Sequence, residues 1–297
     1  RPKFMAGGIL SLVSQDPIVK ALLVHSNPAG DVEEISSIII QLDQIPVLHH
    51  LMRLCPLPDL QFEHLFVTLR KNLLLNIHKL ETSPELIKFF STLALHCFTN
   101  EYVFYESDTE TTLVHALEES VQRSLANLQE PPTIEILCLA SYRALHKYHW
   151  SQKCKALCDL GEIKARLIEE PFSEVLIAGS IPTLNKISDN ISQRVRAQYE
   201  ENPYPRWVNL ATFANAKTIP EVFDELNLNL HSNNIKTVAA PAILIAGCGT
   251  GQHSIETASR FLGCSVTAVD LSLSSLAYAK RKSKELSFNN IDIKACC

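Results

Sequence analysis

Three glycines at alternate positions, Gly247, Gly249 and Gly251, follow directly on the apolar run Ala242-Ile243-Leu244-Ile245-Ala246, and the β-branched run Val266-Thr267-Ala268-Val269 ends on Asp270. A short continuous apolar run that enters a glycine-rich turn reads as a buried parallel strand. Glycine is needed where the chain turns sharply into a helix while its backbone approaches a ligand that a Cβ would push away. Asp270 follows at close to the spacing of about 20 residues at which a carboxylate accepts hydrogen bonds from both ribose hydroxyls. Alone, the glycine run is a weak signal, because any tight strand-to-helix turn uses glycine. With the aspartate it points to a nucleoside-containing cofactor. The dinucleotide pattern puts its third glycine where Gln252 stands, so the pyrophosphate-binding version is not matched. An NAD-dependent oxidoreductase stays open as an alternative, since it uses the same strand, turn and aspartate.

These residues must be positioned by alternating elements. A helix is predicted from about Gln252 to Phe261, a strand over Val266–Val269, a helix from Ser272 to about Leu286, and a third strand beginning at Ile291-Asp292-Ile293. That is the opening of a parallel α/β sheet. Upstream the period is helical. Leu65, Phe66, Leu69, Leu73 and Ile77 form one stripe, and Leu86, Phe89, Phe90, Leu93 and Cys97 a second. A third runs through Leu113, Leu117, Val121, Leu125 and Leu128 to a stop at Pro131-Pro132, and a fourth from Thr133 to about Tyr148. Further helices are expected over Leu184–Glu200, with Ser188 or Asp189 as cap, and over Pro220–Leu228. The fold class is therefore α plus α/β: an all-helical domain at 1–187, a helix and an aromatic, proline-rich segment at 188–240, and an incomplete Rossmann-like core at 241–297. No self-similar helical repeat is visible.

Composition limits the partners. The 297 residues are 46% hydrophobic and 20% charged, which fits a folded chain and excludes a disordered or collagenous one. A net charge of −5 disfavours nucleic acid and anionic lipid as partners. No apolar run approaches the roughly 20 residues of a membrane span, so no membrane partner is expected. The cysteines are scattered and form no Cys-x-x-Cys pair. Cys154 and Cys158, near His146 and His149, are the nearest approach to a ligand set, so no metal is expected. Free thiols fit a reducing cytoplasm.

Ala246-Gly247-Cys248-Gly249-Thr250-Gly251 resembles the first motif of class I S-adenosylmethionine-dependent methyltransferases, and Asp270-Leu271-Ser272 resembles that superfamily's second. The resemblance implies S-adenosyl-L-methionine as cofactor, with the backbone of Ala246, Gly247, Cys248 and Gly249 facing its methionine part. Gly251 completes the turn, Asp270 binds the ribose hydroxyls, and Leu271 packs on the adenine. Val195-Arg196-Ala197-Gln198-Tyr199-Glu200-Glu201-Asn202-Pro203-Tyr204-Pro205-Arg206-Trp207 is similar to a segment of a bacterial methyltransferase family often fused to tetratricopeptide repeats. The stretch around Leu69-Arg70 and the run Phe98-Thr99-Asn100-Glu101-Tyr102-Val103-Phe104 resemble the same family's N-terminal part. Two readings of the aromatic segment follow: Tyr199, Tyr204 and Trp207 close over the cofactor cleft, or they staple the helical domain to the sheet.

Departures from the family pattern bear on function. Ile245 holds the place of an acidic residue that commonly engages the cofactor's amino group; Gln252 and His253 are the nearest substitutes. Cys296 stands where relatives carry an acidic residue. Residues 241–297 supply about three strands, less than half of the superfamily's sheet. The chain therefore reads as a fragment, with catalytic residues after Cys297 and weak or absent cofactor binding, its cleft half-walled and its central strand edge unpaired. The methyl acceptor, a small molecule or a protein, is not legible. A helical protein-interaction module is the alternative from a different class, with a protein partner bound through the helical domain.

Overall fold

The computed structural model describes residues 2–24, 31–184, 190–201 and 203–296. They form two compact units: Arg1–Pro171 with Trp207–Asn209, and Phe172–Arg206 with Leu210–Cys297.

The first unit is helical. Its elements are α1 (Pro2–Val13), α2 (Pro17–Val24), α3 (Val32–Asp43), α4 (Pro46–Leu54), α5 (Leu60–Leu75), α6 (Pro84–Thr99), α7 (Asp108–Ala126), α8 (Thr133–Ala140), three short 3-10 turns between Leu145 and Leu157, and α9 (Gly161–Lys164). Helix α9 runs on through a π-helical turn, Ala165–Glu169, into α10 (Glu170–Ala178), within which the boundary between the units falls. Side-chain caps begin the long helices: Asp59 accepts from Gln61 and Phe62, Ser83 from Leu86, and Ser107 makes a capping box with Glu110. Helix α6 is the core element. It packs on α3, α4 and α8 and is buried nearly all round, as an apolar central helix must be. Among the described residues no single helix is long and apolar enough to cross a membrane; only the pair Ala6–Val13 and Pro17–Val24, bent by 90°, has the composition together.

Both predicted stripes of α5 and α6 are buried. Two helix ends fall short of the reading. Helix α7 stops at Ala126, before the prolines, because Asn127 caps it and Leu128 takes a left-handed backbone at φ 58°. Its buried stripe is Val114, Leu117 and Val121, while Leu128 is 95% exposed. Helix α8 ends at Ala140 instead of Tyr148 because its next groups are held from elsewhere: Arg70 donates to the Ser141 carbonyl, and the Tyr142 hydroxyl donates to Glu110 at 2.8 Å. The stretch bearing Cys154 and Cys158 is made of 3-10 turns; the first thiol is buried and the second exposed.

Within α6, His96 is fully buried, with Nδ1 3.0 Å from the Met52 carbonyl and its ring stacked on Phe104. Burial lowers its pKa to about 4, the Met52 contact opposing only in part. The ring is neutral when folded, whereas the unfolded chain binds its proton near pH 6.5. Stability is therefore intact above 6.5 and is lost as pH falls toward 4, by a total on the order of 3 kcal/mol. Urea midpoints at pH 7 and pH 5 should differ accordingly. His96→Asn should flatten that slope, leaving the share of His49, whose pKa burial also lowers.

The second unit holds α11 (Asn190–Glu201), α12 (Ile219–Glu225), α13 (Asn233–Lys236), β1 (Ala242–Ala246), α14 (Gln252–Arg260), β2 (Ser265–Asp270), α15 (Leu273–Glu285) and β3 (Ile291–Ala295). The proposed cap residues of α11, Ser188 and Asp189, lie outside the described residues. The strands form a parallel sheet in the order β1-β2-β3, with Ala246 opposite Val269 and Asp270 opposite Ala295. The core between sheet and helices is made of Ile245, Val266, Ala268, Leu276, Ala277, Ala279 and Ile293. Beyond β3, Pro182 accepts from the Ala295 amide and the Ala295 carbonyl accepts from Leu184, so that edge carries a short parallel bridge. On the opposite side, β1 pairs with β2 alone among the described residues, and Leu244 is 67% exposed.

Candidate cofactor site

Strand β1 delivers the chain into Gly247, Gly249 and Gly251, all with left-handed backbones at φ 72°, 52° and 86°. The three glycines do different work. A Cβ on Gly247 or Gly249 would meet nothing within 4 Å, so both border open space. A Cβ on Gly251 would lie 2.6 Å from the Ala279 Cβ: this glycine lets the start of α14 close onto α15.

The turn is tied to the end of β2. The amides of Gly247 and Cys248 both donate to the Val269 carbonyl, at 2.9 and 3.0 Å, and the Gly249 amide donates to Asp270 Oδ2 at 2.8 Å. These N–H groups are spent within the fold and form no converging anion nest. An anionic ligand group would instead meet the N-terminus of α14, where Gly251 provides no side-chain cap. Asp270 Oδ1 accepts from the Ser272 amide at 3.0 Å. Each carboxylate oxygen thus has one backbone donor and keeps a second lone pair, the capacity needed to accept two neighbouring hydroxyls.

The predicted site residues therefore lie around one turn. Ala246 and Gly247 are exposed; Gly249, Asp270 and Leu271 are half-buried; Cys248 and Gly251 are buried. Cys248 contributes only backbone, since its thiol lies in the core cluster and burial, reinforced by Asp270, pushes its pKa up to about 12. His253 is exposed on the first turn of α14, and Ile245 is buried in the core. Among the described residues no three His, Cys, Asp or Glu side chains converge as a metal site would require.

Sequence reasoning missed how α11 and the segment after it brace both loops. Glu200, at the end of α11, accepts from the Leu273 and Ser274 amides at 2.8 and 2.9 Å and from the Ser274 hydroxyl. The Ser272 hydroxyl donates to the Tyr199 carbonyl and accepts from the Ser275 amide. On the glycine side, the buried Thr250 hydroxyl donates to the Pro205 carbonyl at 2.9 Å. Arg206 follows, paired with Glu174, which also takes Arg281; both guanidiniums lie against the Tyr278 ring. Of the aromatic trio, Tyr199 and Tyr204 are exposed by 44% and 46%, while Trp207 is buried and groups with the helical unit.

A family model described as a methyltransferase domain matches residues 243–296. The match spans the glycine turn, Asp270 and all but the first residue of the three-stranded sheet. Residues 243–296 are thus similar to a methyltransferase domain. No curated protein and no solved structure matches the chain.

Proposed function

We propose that residues 241–297 carry the nucleoside-binding half of an S-adenosylmethionine-dependent methyltransferase of class I. The observation that carries this reading is Asp270, with one lone pair free on each oxygen, beside a turn whose first two glycines border open space. When bound, the cofactor supplies an activated methyl on a sulfonium. The chain's part is to bind and orient. Asp270 would accept the two ribose hydroxyls, Leu271 would cover one face of the adenine, and Ala246 to Gly249 would present backbone to the amino-acid end. Rate then comes from positioning and water exclusion, with little side-chain chemistry. The acceptor is a small molecule or a protein. The dinucleotide alternative loses support from Gln252 at the third-glycine position.

Among the described residues β1 is paired on one side only, and this supports a second element of the proposal. A cofactor lying across the carboxyl end of β1 would be walled on the β2 side only, so the 297-residue chain is expected to bind weakly and to be inactive by itself. Amide NMR of the full chain titrated with S-adenosylhomocysteine tests both elements. Shifts at Gly247, Gly249 and Leu271 with an affinity weaker than micromolar are the expected result. Micromolar binding would overturn the half-walled cleft, and shifts with NADH but not with S-adenosylhomocysteine would overturn the cofactor.

A further inference from the structure

We infer that Glu200 is a positioning residue of this cofactor site, holding the Asp270 turn in place from outside the matched domain; the inference rests on the cofactor reading above. Helix α15 begins at Leu273, capped by Ser272 two residues after the aspartate, and its first amides need partners. Glu200 takes two of them, Leu273 with Oε1 and Ser274 with Oε2, in a two-pronged cap. Ser272 takes the other two: its hydroxyl accepts from Ser275 and its carbonyl from Leu276. That hydroxyl in turn donates to the Tyr199 carbonyl. Every donor at the start of α15 is therefore fixed either by α11 or by a residue that α11 holds.

The consequence reaches the site through Asp270. Its Oδ1 is bonded to the Ser272 amide and its Oδ2 to Gly249, so the position of Ser272 sets the carboxylate and the carboxylate sets the glycine turn. The Thr250–Pro205 bond ties the same segment to the glycine side. Tyr199 and Glu200 on one loop and Pro205 on the other thus hold the two loops that would grip the ribose and the amino-acid end. Charge favours the arrangement as well, since a carboxylate at a helix N-terminus meets the positive end of the dipole. Burial raises the pKa of Glu200, but the Leu273 and Ser274 amides, the Ser274 hydroxyl and Arg196 outweigh it and hold the group ionised.

The test uses the 297-residue chain, 15N-labelled, as wild type, Glu200→Gln and Ser274→Ala, with S-adenosylhomocysteine as probe. Hydrogen exchange without ligand and shift titration with it are both read. Glu200→Gln should speed exchange of the Gly249 amide about tenfold, together with Leu273 and Ser274. It should also weaken the ligand-induced shifts at Gly247 and Gly249 about tenfold in affinity. Ser274→Ala, which leaves the backbone cap in place, should change both in the same direction by less, and it carries the test if Glu200→Gln does not fold. A local helix cap would speed only Leu273 and Ser274; unchanged Gly249 protection with unchanged affinity overturns the proposal. No ligand-induced shift in the wild type would overturn the cofactor reading and with it this assignment, and faster Gly249 exchange in Glu200→Gln would then mark Glu200 as a brace of the fold.

Discussion

Arg70→Met should destabilise the helical unit by about 3–5 kcal/mol, because it strands a carboxylate in the core. Arg70 and Glu110 each have side chains only 2% exposed and approach to 3.9 Å. Around them, Arg70 donates to the carbonyls of Tyr105 and Ser141 and lies 4.1 Å from the centre of the Tyr142 ring, whose hydroxyl bonds to Glu110. Glu110 is also the carboxylate of the α7 capping box. Methionine fills most of the arginine's volume, so the loss is chiefly electrostatic and not a cavity. Both tryptophans, Trp150 and Trp207, lie in this unit, so the urea transition followed by tryptophan fluorescence reports it directly. Adding Glu110→Gln should restore part of the loss, since it removes the unpaired charge and keeps an acceptor for Tyr142. A double variant no better than Arg70→Met would refute the charge argument.

Gly251→Ala should cost the second unit about 2–4 kcal/mol. Roughly 1 of this is backbone strain at φ 86°, and about 1–3 is overpacking against Ala279. Gly247→Ala shares the strain and meets no neighbour, so it should cost only about 1 kcal/mol. Ala279→Gly removes the opposing Cβ at its own helix cost of about 1 kcal/mol. In a double-mutant cycle the two changes should therefore couple favourably by about 1–3 kcal/mol. Thermal unfolding followed by NMR of core methyls in this unit measures the cycle. Additive costs would mean that α14 and α15 can move apart at this point.

The local features of the site were legible in the sequence because each depends on a few neighbouring residues. The apolar run of β1, the glycine turn and Asp270 at the end of β2 stand where the pattern put them, since strand, turn and strand end are coded within short windows, but β1 is buried only at Ile245 and not throughout, because among the described residues it has a neighbouring strand on one side alone. The stripes of α5 and α6 were legible by the same logic at helical period. The ends of α7 and α8 were not. Leu128 continues the apolar spacing but takes the left-handed conformation after Asn127, and α8 stops where Arg70 and Glu110 reach in from distant parts of the chain. The brace at Glu200 was hidden for the same reason: its partners at Leu273 and Ser274 are remote in sequence, and a glutamate at a helix end before a proline carries no periodic signal. Cys248 was legible as a position but not as a role, since only packing reveals that its thiol turns inward.

The second unit is discontinuous along the chain, and that governs how it can be dissected. A piece beginning at Leu210 would contain every strand and both sequence motifs, yet would lack Glu174, the Pro182–Leu184 bridge to β3, Glu200 and Pro205. Such a piece would leave Arg281 without its buried carboxylate, the edge of β3 bare, and the Asp270 turn without its cap. A boundary drawn around the matched residues alone would thus discard the supports that give those residues their geometry. A piece that keeps all of these supports starts no later than α10, which carries Glu174.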